Sequence, residues 1–429
     1  MIANITANCI GGSITAPPSK SMAHRAVLCA ALAKGTSCIH HLQASQDVTA
    51  TLQAAQQLGA AVLRDKDTAQ ITGSGSIAAV QAPINCCESG STLRFLIPIA
   101  TLSNQPVTFC GKGRLFQRPM GVYQSIFSAQ GLRFDQQADQ LVVQGRLSPG
   151  EYTLRGDVSS QFISGLLFAL PLLAGDSTIL IQPPFESRSY VELTLAALRD
   201  FGVKASWQNA EKTQLFIPGN QTYQSRTYTV EADYSQAAFF AVLGAICGNI
   251  TINGLRPDSL QGDAAILPIL ARCGAVFTRS GESVTFEKSE LKGTTIDLAD
   301  CPDLGPILMT LGLFCKGETR IINAARLRMK ESDRIAAMEQ ELRKFGANIE
   351  SSSDTVVIRG TECKQPLLLD GHNDHRVVMS LAMAGLCAKV PVAIQGAQAV
   401  AKSWPEFFDV LSSIGATVEV QCDADETQQ

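Results

Sequence analysis

Residues 172–181 read LLAGDSTILI, which is the end of an apolar helix, a polar turn and a β-branched strand. The same order recurs as LCAALAKGTSCI at 28–39, IPIATLSNQPVTF at 97–109, GAICGNITI at 244–252, LGLFCKGETRII at 311–322 and GLCAKVPVAI at 385–394. A second landmark keeps step: a helical pattern ends just before Gly59, Gly131, Gly202, Gly274, Gly346 and Gly415. These glycines are 72, 71, 72, 72 and 69 residues apart, so the sequence predicts one supersecondary unit used six times.

Each unit is predicted to contain two helices of different character and three or four short strands. The first helix is apolar nearly all round, as in FFAVLGAICG at 239–248, and such a helix is buried on every side. The second is amphipathic, as in DRIAAMEQELRKFG at 333–346, and its terminal glycine fits a left-handed C-cap. Strands such as TVVIRG at 355–360 are then expected to cover the helices from outside.

The length of 429 residues favours two domains, and six units divide most simply as three plus three. The hinge is predicted near VEADYS at 230–235, and a second crossing near APPSK at 16–20 follows if the first strand pairs with the later lobe. The predicted lobes are residues 19–231 and residues 1–18 plus 232–429.

Composition narrows the class of protein. There are 35 Lys and Arg against 39 Asp and Glu, a net charge of −4, which argues against a nucleic-acid partner bound through a broad basic surface. No signal peptide pattern and no apolar run of 18 residues are found, which predicts a cytoplasmic protein with no membrane partner. Thirteen cysteines without a C-x-x-C pair favour reduced, buried thiols. The polar ending QCDADETQQ is expected to fray.

Polar segments open the six apolar helices: SKSMAHR at 19–25, ESGSTLR at 88–94, DVSSQF at 157–162, ADYSQ at 232–236, CPDLG at 301–305 and NDHR at 373–376. Helix N-termini carry unpaired N–H groups and a partial positive charge, which suit an anion. Ser, Asp and Asn are also favoured N-caps, so simple capping is the alternative. Because four of the six openings add Ser or Arg suited to an anion, we favour anion binding.

Charged residues near these openings suggest more specific roles. Ser21 and Arg25 are four apart and so share a helix face, with Lys20 at the mouth of a plausible phosphate or carboxylate clamp. In RLRMKESDR at 326–334, Lys330 and Arg334 are likewise expected on one helix face, with Glu331 available for proton transfer. Solvated surface charge is the alternative for both segments.

Other candidates follow turns. Arg94, Arg118 and Arg376 each come after a Gly-rich or polar turn, and GKGRLFQRP at 111–119 has the character of a mobile basic loop. Asp303, after Pro302, precedes an apolar helix and is a candidate base, with an N-cap as the alternative.

From end to end the chain resembles the 5-enolpyruvylshikimate-3-phosphate (EPSP) synthase family, the 3-phosphoshikimate 1-carboxyvinyltransferases, within the enolpyruvyl transferases. The motifs that carry the resemblance are PPSKSMAHRA, SGSTLRFLIP, RLFQRPMG, VSSQFISGLL, MKESDR, NDHRVVMSLA and AKSWPEFF. The resemblance implies an α/β fold, a two-lobed inside-out α/β barrel of six βαβαββ repeats with three per lobe. It also implies a monomer that needs no metal and no cofactor and closes its lobes on substrate.

The activity implied by the resemblance is transfer of the enolpyruvyl group of phosphoenolpyruvate to the 5-hydroxyl of shikimate 3-phosphate, with release of phosphate. This addition–elimination belongs to the shikimate pathway, which leads to chorismate and the aromatic amino acids. Asp303 would take the proton of the 5-hydroxyl and Glu331 would protonate the enol methylene. Lys20 and Lys402 would assist proton movement and stabilise charge.

The resemblance also implies two sets of binding residues. Those for shikimate 3-phosphate are Lys20, Ser21, Arg25, Ser159, Ser160, Gln161, Ser187, Asp303 and Lys330. Those for phosphoenolpyruvate are Lys20, Gly90, Arg118, Gln161, Arg334, Arg376 and Lys402.

Some positions depart from the usual family pattern. Glu88 stands where the family usually has Asn, and we expect its carboxylate to face outward or to pair with Arg94. Arg326 also replaces an Asn and could add a phosphate contact. Gly90 lies near the expected phosphate of phosphoenolpyruvate, so Gly90→Ala is expected to crowd the inhibitor glyphosate more than the substrate.

Rival functions fit the sequence less well. The UDP-N-acetylglucosamine enolpyruvyl transferases carry a Cys five residues before the loop Arg-Pro, where this chain has Gly113. A non-catalytic anion-binding homologue would be expected to lose residues of the set Lys20, Asp303, Glu331, Arg334, Arg376 and Lys402, all of which are present. RNA 3′-phosphate cyclases use a nucleophilic His. Here His24 is interpreted as a helix-face residue, and His375 either as a support for Arg376 or as a buried hydrogen-bonded residue.

Overall fold

The computed structural model describes residues 1–360 and 365–421, so the expected fraying from Cys422 onward lies outside the described residues. The chain folds into two compact units. Unit 1 is Met1–Pro17 together with the chain from Ala232 onward, and unit 2 is Pro18–Glu231. Each unit contains three of the six repeats.

The helices within these ranges are α1 (Lys20–Leu32), α2 (Gln46–Gln57), α3 (Gly90–Ala100), α4 (Gly121–Ala129), α5 (Ser160–Ala169), α6 (Arg188–Asp200), α7 (Tyr234–Cys247), α8 (Ile266–Arg272), α9 (Gly305–Phe314), α10 (Arg334–Lys344), α11 (His375–Ala388) and α12 (Phe407–Ser413).

The strands of unit 2 are β3 (Lys34–His40), β4 (Ala61–Asp65), β5 (Thr68–Ser74), β6 (Ile84–Asn85), β7 (Val107–Cys110), β8 (Arg133–Gln136), β9 (Gln140–Gln144), β10 (Glu151–Arg155), β11 (Ser177–Gln182), β12 (Ser206–Trp207), β13 (Gln214–Ile217) and β14 (Thr227–Thr229). Those of unit 1 are β1 (Ile2–Ala7), β2 (Gly12–Thr15), β15 (Ile250–Asn253), β16 (Val276–Ser280), β17 (Ser283–Glu287), β18 (Thr295–Asp297), β19 (Thr319–Ile322), β20 (Asn348–Ser351), β21 (Val356–Arg359), β22 (Leu367–Asp370), β23 (Val392–Gln395) and β24 (Ala416–Gln421).

Within the described residues, six four-stranded sheets share one topology, that of a βαβαββ unit. In the sheet β10-β11-β13-β12, for example, the first two strands are parallel, with Glu151 opposite Thr178. The other two pairs are antiparallel, with Ser177 opposite Ile217 and Ser206 opposite Phe216. A helix connects the parallel pair, as a parallel crossover requires, and a short turn joins the last two strands. The repeat predicted from the glycine spacing is therefore confirmed.

Three of the described strands complete the sheet of a repeat that is distant from them in the sequence. β14 joins the first repeat by pairing in parallel with β3, and β2 joins the fourth by pairing in parallel with β15. β1 lies between β23 and β24 and so completes the sixth sheet. The chain must therefore pass from one unit to the other near Pro17 and again near Glu231. Within unit 2 Ser19 N donates to Glu231 O (2.7 Å), and within unit 1 Asp233 N donates to Pro17 O (2.8 Å).

The repeat glycines terminate the amphipathic helices by a common hydrogen-bond pattern. All six have positive φ, between 65° at Gly131 and 105° at Gly59. Each donates its N–H three residues back, as Gly202 does to Arg199 O (3.1 Å). In the first five repeats, the residue after the glycine donates its N–H to the carbonyl five residues back, as Val203 does to Leu198 O (2.8 Å). This is the Schellman arrangement. The chain thus reverses at the same point of every repeat.

The apolar helices form the cores of the two units. In α7 every residue from Tyr234 to Ala245 is buried, and α9 and α11 are buried over most of their length. The corresponding helices of unit 2 are α1, α3 and α5. Strands such as β10 alternate buried and exposed residues, so each sheet places one face on these helices. The polar residues that open the buried helices are therefore brought to the edge of each core.

Candidate active site

Most of the predicted openings are real helix N-termini with a capping side chain. The N-cap side chains of α1, α3, α5, α7 and α11 accept backbone N–H bonds, and they are Ser19, Ser89, Ser159, Asp233 and Asp374. The sixth opening differs, since a 3₁₀ turn over Pro302–Leu304 leads into α9 and no side chain caps it. Asp303 is thus not the N-cap of α9.

In unit 2 the first cluster surrounds the start of α1. Lys20 Nζ binds Asp47 Oδ2 at 2.7 Å, and the Lys20 side chain is 17% exposed. Arg25 is buried, and it donates from Nη1 to Ser21 O (2.7 Å) and from Nη2 to Tyr190 O (2.8 Å). Burial lowers the pKa of Arg25 to about 10. The predicted shared face of Ser21 and Arg25 is confirmed, although much of the guanidinium is already engaged by the protein.

The second cluster of unit 2 lies at the start of α3. A Cβ placed on Gly90 would lie 2.7 Å from Arg118 Nη1, so the guanidinium rests directly against the Gly90 backbone. Gln161 bridges to this region, donating from Nε2 to Ser91 Oγ (2.9 Å) and accepting from Arg94 Nη1 (2.7 Å). The structure therefore brings together Gly90, Arg118 and Gln161, the first of them with its N–H in the first turn of a helix.

The loop before Arg118 is anchored on both sides. Leu115 and Phe116 form a 3₁₀ turn with buried side chains. Lys112 N donates to Cys87 O over 2.7 Å. Glu88 lies against this loop, because a Cβ on Gly113 would lie 2.5 Å from Glu88 Oε2. Glu88 therefore packs on the loop that carries Arg118, and Arg94 Nη2 donates to Pro119 O (2.9 Å) at the end of the same loop.

The remaining predicted residues of unit 2 lie at the starts of α5 and α6. Ser159 caps α5, and Ser160 is buried at its first position. Ser187 precedes α6 with φ of 53°, in the left-handed region, and is buried. Tyr190, in the first turn of α6, holds Arg25 through its carbonyl, which connects α6 to α1.

In unit 1 three cations converge on Asp303. Its Oδ1 accepts from Lys330 Nζ (3.1 Å) and Arg334 Nη1 (3.2 Å), and its Oδ2 accepts from Arg376 Nη2 (3.2 Å). Burial by itself would raise the pKa of Asp303, but Arg376, Lys330 and Arg334 lower that pKa well below 3.8. Asp303 is therefore a carboxylate at neutral pH.

The geometry of 326–334 differs from the predicted helix. A 3₁₀ turn spans Ala325–Met329, Lys330 is extended (φ −92°, ψ −158°), and α10 begins only at Arg334. The prediction that Lys330 and Arg334 share a helix face is therefore wrong, because the Asp333 side chain accepts from Ala336 N and starts a new helix. Both cations nevertheless reach the same oxygen of Asp303. Arg326 is buried and donates from Nη2 to Ala299 O (2.6 Å).

Arg334 is the centre of the carboxylate cluster in unit 1. It donates from Nε to Asp374 Oδ2 (2.8 Å) and from Nη2 to Glu331 Oε2 (2.8 Å). Burial would lower the pKa of Arg334, but Asp374, Glu331 and Asp303 raise it. Lys402 is buried and donates from Nζ to Asn373 O (2.6 Å). The structure thus brings Asp303, Lys330, Glu331, Arg334 and Arg376 into one hydrogen-bonded group, and Lys402 bonds to the segment just before α11.

Sequence reasoning missed the residues that hold these side chains in place. Asp47 pairs with Lys20, and Asp374 pairs with Arg334. Ser235 accepts from Arg376 Nη2 (2.8 Å) and donates to Asp233 Oδ1 (2.6 Å). Ser235 and Asp374 lie in helix openings that the sequence had marked, whereas nothing near Asp47 in the sequence indicates its partner.

Three general properties concern the described residues alone. Within 1–360 and 365–421, no group of three or more His, Cys, Asp or Glu side chains is placed to hold a metal ion. Across the same ranges, no helix combines the length and the apolar character needed to cross a bilayer. The eleven cysteines of that part of the chain are all free thiols.

Known proteins match this chain over nearly its whole length. Residues 6–411 match the family described as EPSP synthase (3-phosphoshikimate 1-carboxyvinyltransferase). The 3-phosphoshikimate 1-carboxyvinyltransferase of Clostridium novyi (strain NT) is 41% identical over 421 residues, covering 96% of each chain. That of Clostridioides difficile (strain 630) is 40% identical over 423 residues, again covering 96% of each.

Solved structures show the same fold. An EPSP synthase from Acinetobacter baumannii superposes with a TM-score of 0.81 and 25% identity, covering 98% of this chain and 100% of that one. The enolpyruvyl transferase NikO from Streptomyces tendae gives a TM-score of 0.78 at 16% identity, a likeness of fold alone. This protein is therefore a transferase that belongs to the EPSP synthase (3-phosphoshikimate 1-carboxyvinyltransferase) family.

Proposed function

We propose that the chain transfers the enolpyruvyl group of phosphoenolpyruvate to the 5-hydroxyl of shikimate 3-phosphate and releases inorganic phosphate. The observation that carries the proposal is the Asp303 group, in which one carboxylate is held by Lys330, Arg334 and Arg376 at 3.1–3.2 Å. Each substrate bears a phosphate and a carboxylate, so a base for the hydroxyl must be embedded among cations that bind anions.

The proposed binding residues divide by substrate. Shikimate 3-phosphate is bound by Lys20, Ser21, Arg25, Ser159, Ser160, Gln161, Ser187, Asp303 and Lys330. Phosphoenolpyruvate is bound by Lys20, Gly90, Arg118, Gln161, Arg334, Arg376 and Lys402. The contact of Arg118 with Gly90 supports this division, because one phosphoryl group can accept from that guanidinium and from the first-turn amides of α3.

The proposed reaction is an addition followed by an elimination. The 5-hydroxyl oxygen bonds to C2 of phosphoenolpyruvate while Asp303 accepts the hydroxyl proton, and Glu331 delivers a proton to the methylene carbon. The tetrahedral intermediate then loses a methyl proton as the C–O bond to phosphate breaks, which gives the enol ether. Lys20 and Lys402 assist proton movement and stabilise the charge that develops on oxygen.

The ion pairs of Asp303 determine when it can act as a base. Three cations keep its pKa well below 3.8 in the free protein, so it is ionised but binds a proton weakly. Anionic substrates that pair with Lys330, Arg334 and Arg376 draw these charges away from the carboxylate. The pKa of Asp303 then rises toward the value that proton abstraction requires, so the base is strengthened by the substrates themselves.

The decisive experiment is a phosphate-release assay with each substrate alone and with both together. The expected result is release only with both, and no release when UDP-N-acetylglucosamine replaces shikimate 3-phosphate. Asp303→Ala is expected to lower kcat by a factor on the order of 100 or more. The matched control is Asp300→Ala, since Asp300 is exposed and three residues away. Full turnover in Asp303→Ala would rule out the base assignment, and release from phosphoenolpyruvate alone would rule out the transfer.

A further inference from the structure

A continuous chain of buried hydrogen bonds runs through three helices of unit 2 to the N-cap of α3. His24 Nδ1 lies 2.7 Å from Thr51 Oγ1, and Thr51 Oγ1 lies 2.7 Å from Thr92 Oγ1. Thr92 Oγ1 donates to Ser89 Oγ over 2.8 Å. His24, Thr51, Thr92 and Ser89 are all buried, the most exposed at 1%. None of these four side chains belongs to the proposed substrate-binding set.

This chain of hydrogen bonds lies one helical turn from the Lys20 ion pair. His24 follows Lys20 by four residues on α1, and Thr51 follows Asp47 by four residues on α2. The bond between His24 and Thr51 and the ion pair between Lys20 and Asp47 are therefore successive rungs between the same two helices. The inner rung then continues through Thr92 into the cap of the helix that begins at Gly90.

The direction of each hydrogen bond in this series can be inferred from the available acceptors. Ser89 Oγ accepts from Thr92 N (3.2 Å) and from Thr92 Oγ1, so the Thr92 proton is committed. Thr51 must then donate to Thr92, since its alternative acceptor, Asp47 O, is farther away at 3.3 Å. Thr51 accordingly accepts from His24, which must carry its proton on Nδ1.

The other ring nitrogen gives an independent argument for this tautomer. His24 Nε2 is buried and has no hydrogen-bond partner within residues 1–360 and 365–421. A buried N–H without a partner is rarer and costlier than an unpaired acceptor, so Nε2 is the bare nitrogen. Burial, Lys20 and Arg25 lower the pKa of His24 well below 6.5, which keeps the ring neutral. His24 is therefore a fixed donor at the start of the chain.

We propose that His24 and Thr51 are positioning residues for the phosphoenolpyruvate site, which they hold by fixing the N-terminal turn of α3 relative to Lys20. This inference rests on the proposed function. The hydroxyls act through Ser89, whose Oγ caps α3 and thereby orients the amides of Gly90 and Ser91. A phosphoryl group bound by those amides needs them already aligned, because an ordered donor costs no reorganisation when the ligand arrives.

The first test removes one hydroxyl from the middle of the chain. Thr51→Val keeps shape and burial but breaks the bonds that link Thr51 to His24 and Thr92, and it is expected to raise the KM for phosphoenolpyruvate about three- to tenfold, a range typical of disrupting buried hydrogen bonds. The KM for shikimate 3-phosphate is expected to stay at the wild-type value. Thr51→Ser restores the hydroxyl and is expected to restore the KM.

A matched control separates positioning from general loss of stability. Thr310→Val removes an equally buried hydroxyl in unit 1, one that donates to Ser380 O. It is expected to lower the melting temperature without changing either KM. The proposal is overturned if Thr51→Val leaves the KM for phosphoenolpyruvate unchanged, raises both KM values alike, or behaves as Thr310→Val does.

A second measurement needs no active variant. Histidine-selective ¹⁵N NMR of the wild-type protein, with the signal assigned by its loss in His24→Asn, is expected to show His24 neutral with the proton on Nδ1. A proton on Nε2 would overturn the proposed hydrogen-bond chain, in which His24 donates to Thr51, even if Thr51→Val did not fold. Absence of phosphate release by the wild type would refute the proposed function instead, and the NMR result would still decide the direction of the hydrogen bonds.

Discussion

Arg334 and Asp374 form a buried ion pair in unit 1, with side chains 2% and 0% exposed and Nε 2.8 Å from Oδ2. Because Asp374 also caps α11, the pair fixes α10 and α11 together behind Asp303. We predict that Asp374→Ala destabilises unit 1 by about 3–5 kcal/mol, the usual result of leaving a buried charge without its main partner. Urea unfolding followed by circular dichroism measures the change.

The control for Asp374 is an acidic residue in an exposed pair. Asp258 binds Arg256 at 2.8 Å, but the two side chains are 70% and 49% exposed. Water and salt screen such a pair, so Asp258→Ala is expected to leave the unfolding midpoint within error of wild type. Equal effects of the two substitutions would show that burial of the pair between Arg334 and Asp374 adds nothing to the free energy of unfolding.

A second prediction concerns pH and the pair between His372 and Glu341. Nε2 of His372 lies 3.4 Å from Oε1 of buried Glu341. The hydrogen bond to Glu341 raises the pKa of His372 above 6.5, burial opposes it, and Asp370 raises it further. A raised pKa means that the protonated imidazole stabilises the fold below pH 6.5, and that this contribution is lost as the pH rises through the folded pKa.

We therefore expect the wild type to lose stability above pH 6.5 in a way that His372→Gln does not. Melting temperatures measured from about pH 5.5 to about pH 9 test this. In a Glu341→Gln background, His372→Gln is expected to have a smaller pH-dependent effect, because the acceptor that raises the pKa most is gone and Asp370 alone still raises it. Parallel pH curves for wild type and His372→Gln would contradict the assignment.

The repeat could be predicted from the sequence because its signals are local. A helix that ends in a left-handed residue strongly favours glycine there, so the six glycines marked six real helix ends. Apolar helices such as α7 were equally clear, since no face of them could be exposed. Strand exchange was harder, because β1, β2 and β14 pair with partners in distant repeats that no local pattern identifies.

The candidate site shows where local reasoning stops. The spacing of Lys330 and Arg334 fitted a helix, yet Lys330 is extended and α10 begins at Arg334. The two cations meet because each is drawn to Asp303, a tertiary contact that spacing does not encode. Asp47 is the same case, since its role depends entirely on facing Lys20 from another helix.

Alanine substitutions of the glycines at the two ends of α4 are predicted to change stability in opposite directions. Gly131, just past its C-terminus, has φ of +65° and open space around its Cα. Gly131→Ala is expected to cost about 1–2 kcal/mol from backbone strain alone. Gly121 begins the same helix, also with open space but without positive φ, so Gly121→Ala is expected to stabilise by about 0.4–1 kcal/mol. Melting temperatures that move in the same direction would contradict this account.

The contact between Gly90 and Arg118 predicts a selective loss of affinity for phosphoenolpyruvate. A methyl on Gly90 would lie 2.7 Å from Nη1 and 3.0 Å from Cζ of Arg118, so the guanidinium must move. Gly90→Ala is expected to raise the KM for phosphoenolpyruvate on the order of 10- to 100-fold, as a misplacement near 1 Å does. The inhibition constant of glyphosate is expected to rise further, and an unchanged constant would contradict the prediction. The KM for shikimate 3-phosphate should not change.

The contact between Glu88 and Gly113 predicts a dependence between these two positions. A Cβ on Gly113 would meet Glu88 at 2.5 Å from Oε2 and 2.7 Å from Cδ, and φ there is +58°. Gly113→Ala therefore has two separate effects, backbone strain of about 1–2 kcal/mol and displacement of Glu88 from the loop that carries Arg118. The first is expected to lower stability, and the second to raise the KM for phosphoenolpyruvate.

A double-mutant cycle separates these effects. In a Glu88→Ala background the carboxylate is absent, so Gly113→Ala is expected to change the KM for phosphoenolpyruvate much less than it does in the wild type. The loss of stability from the positive φ is expected to be the same in both backgrounds, because it does not involve Glu88. Additive changes in KM would show that Glu88 does not hold the loop, and its carboxylate would then have no part in placing Arg118.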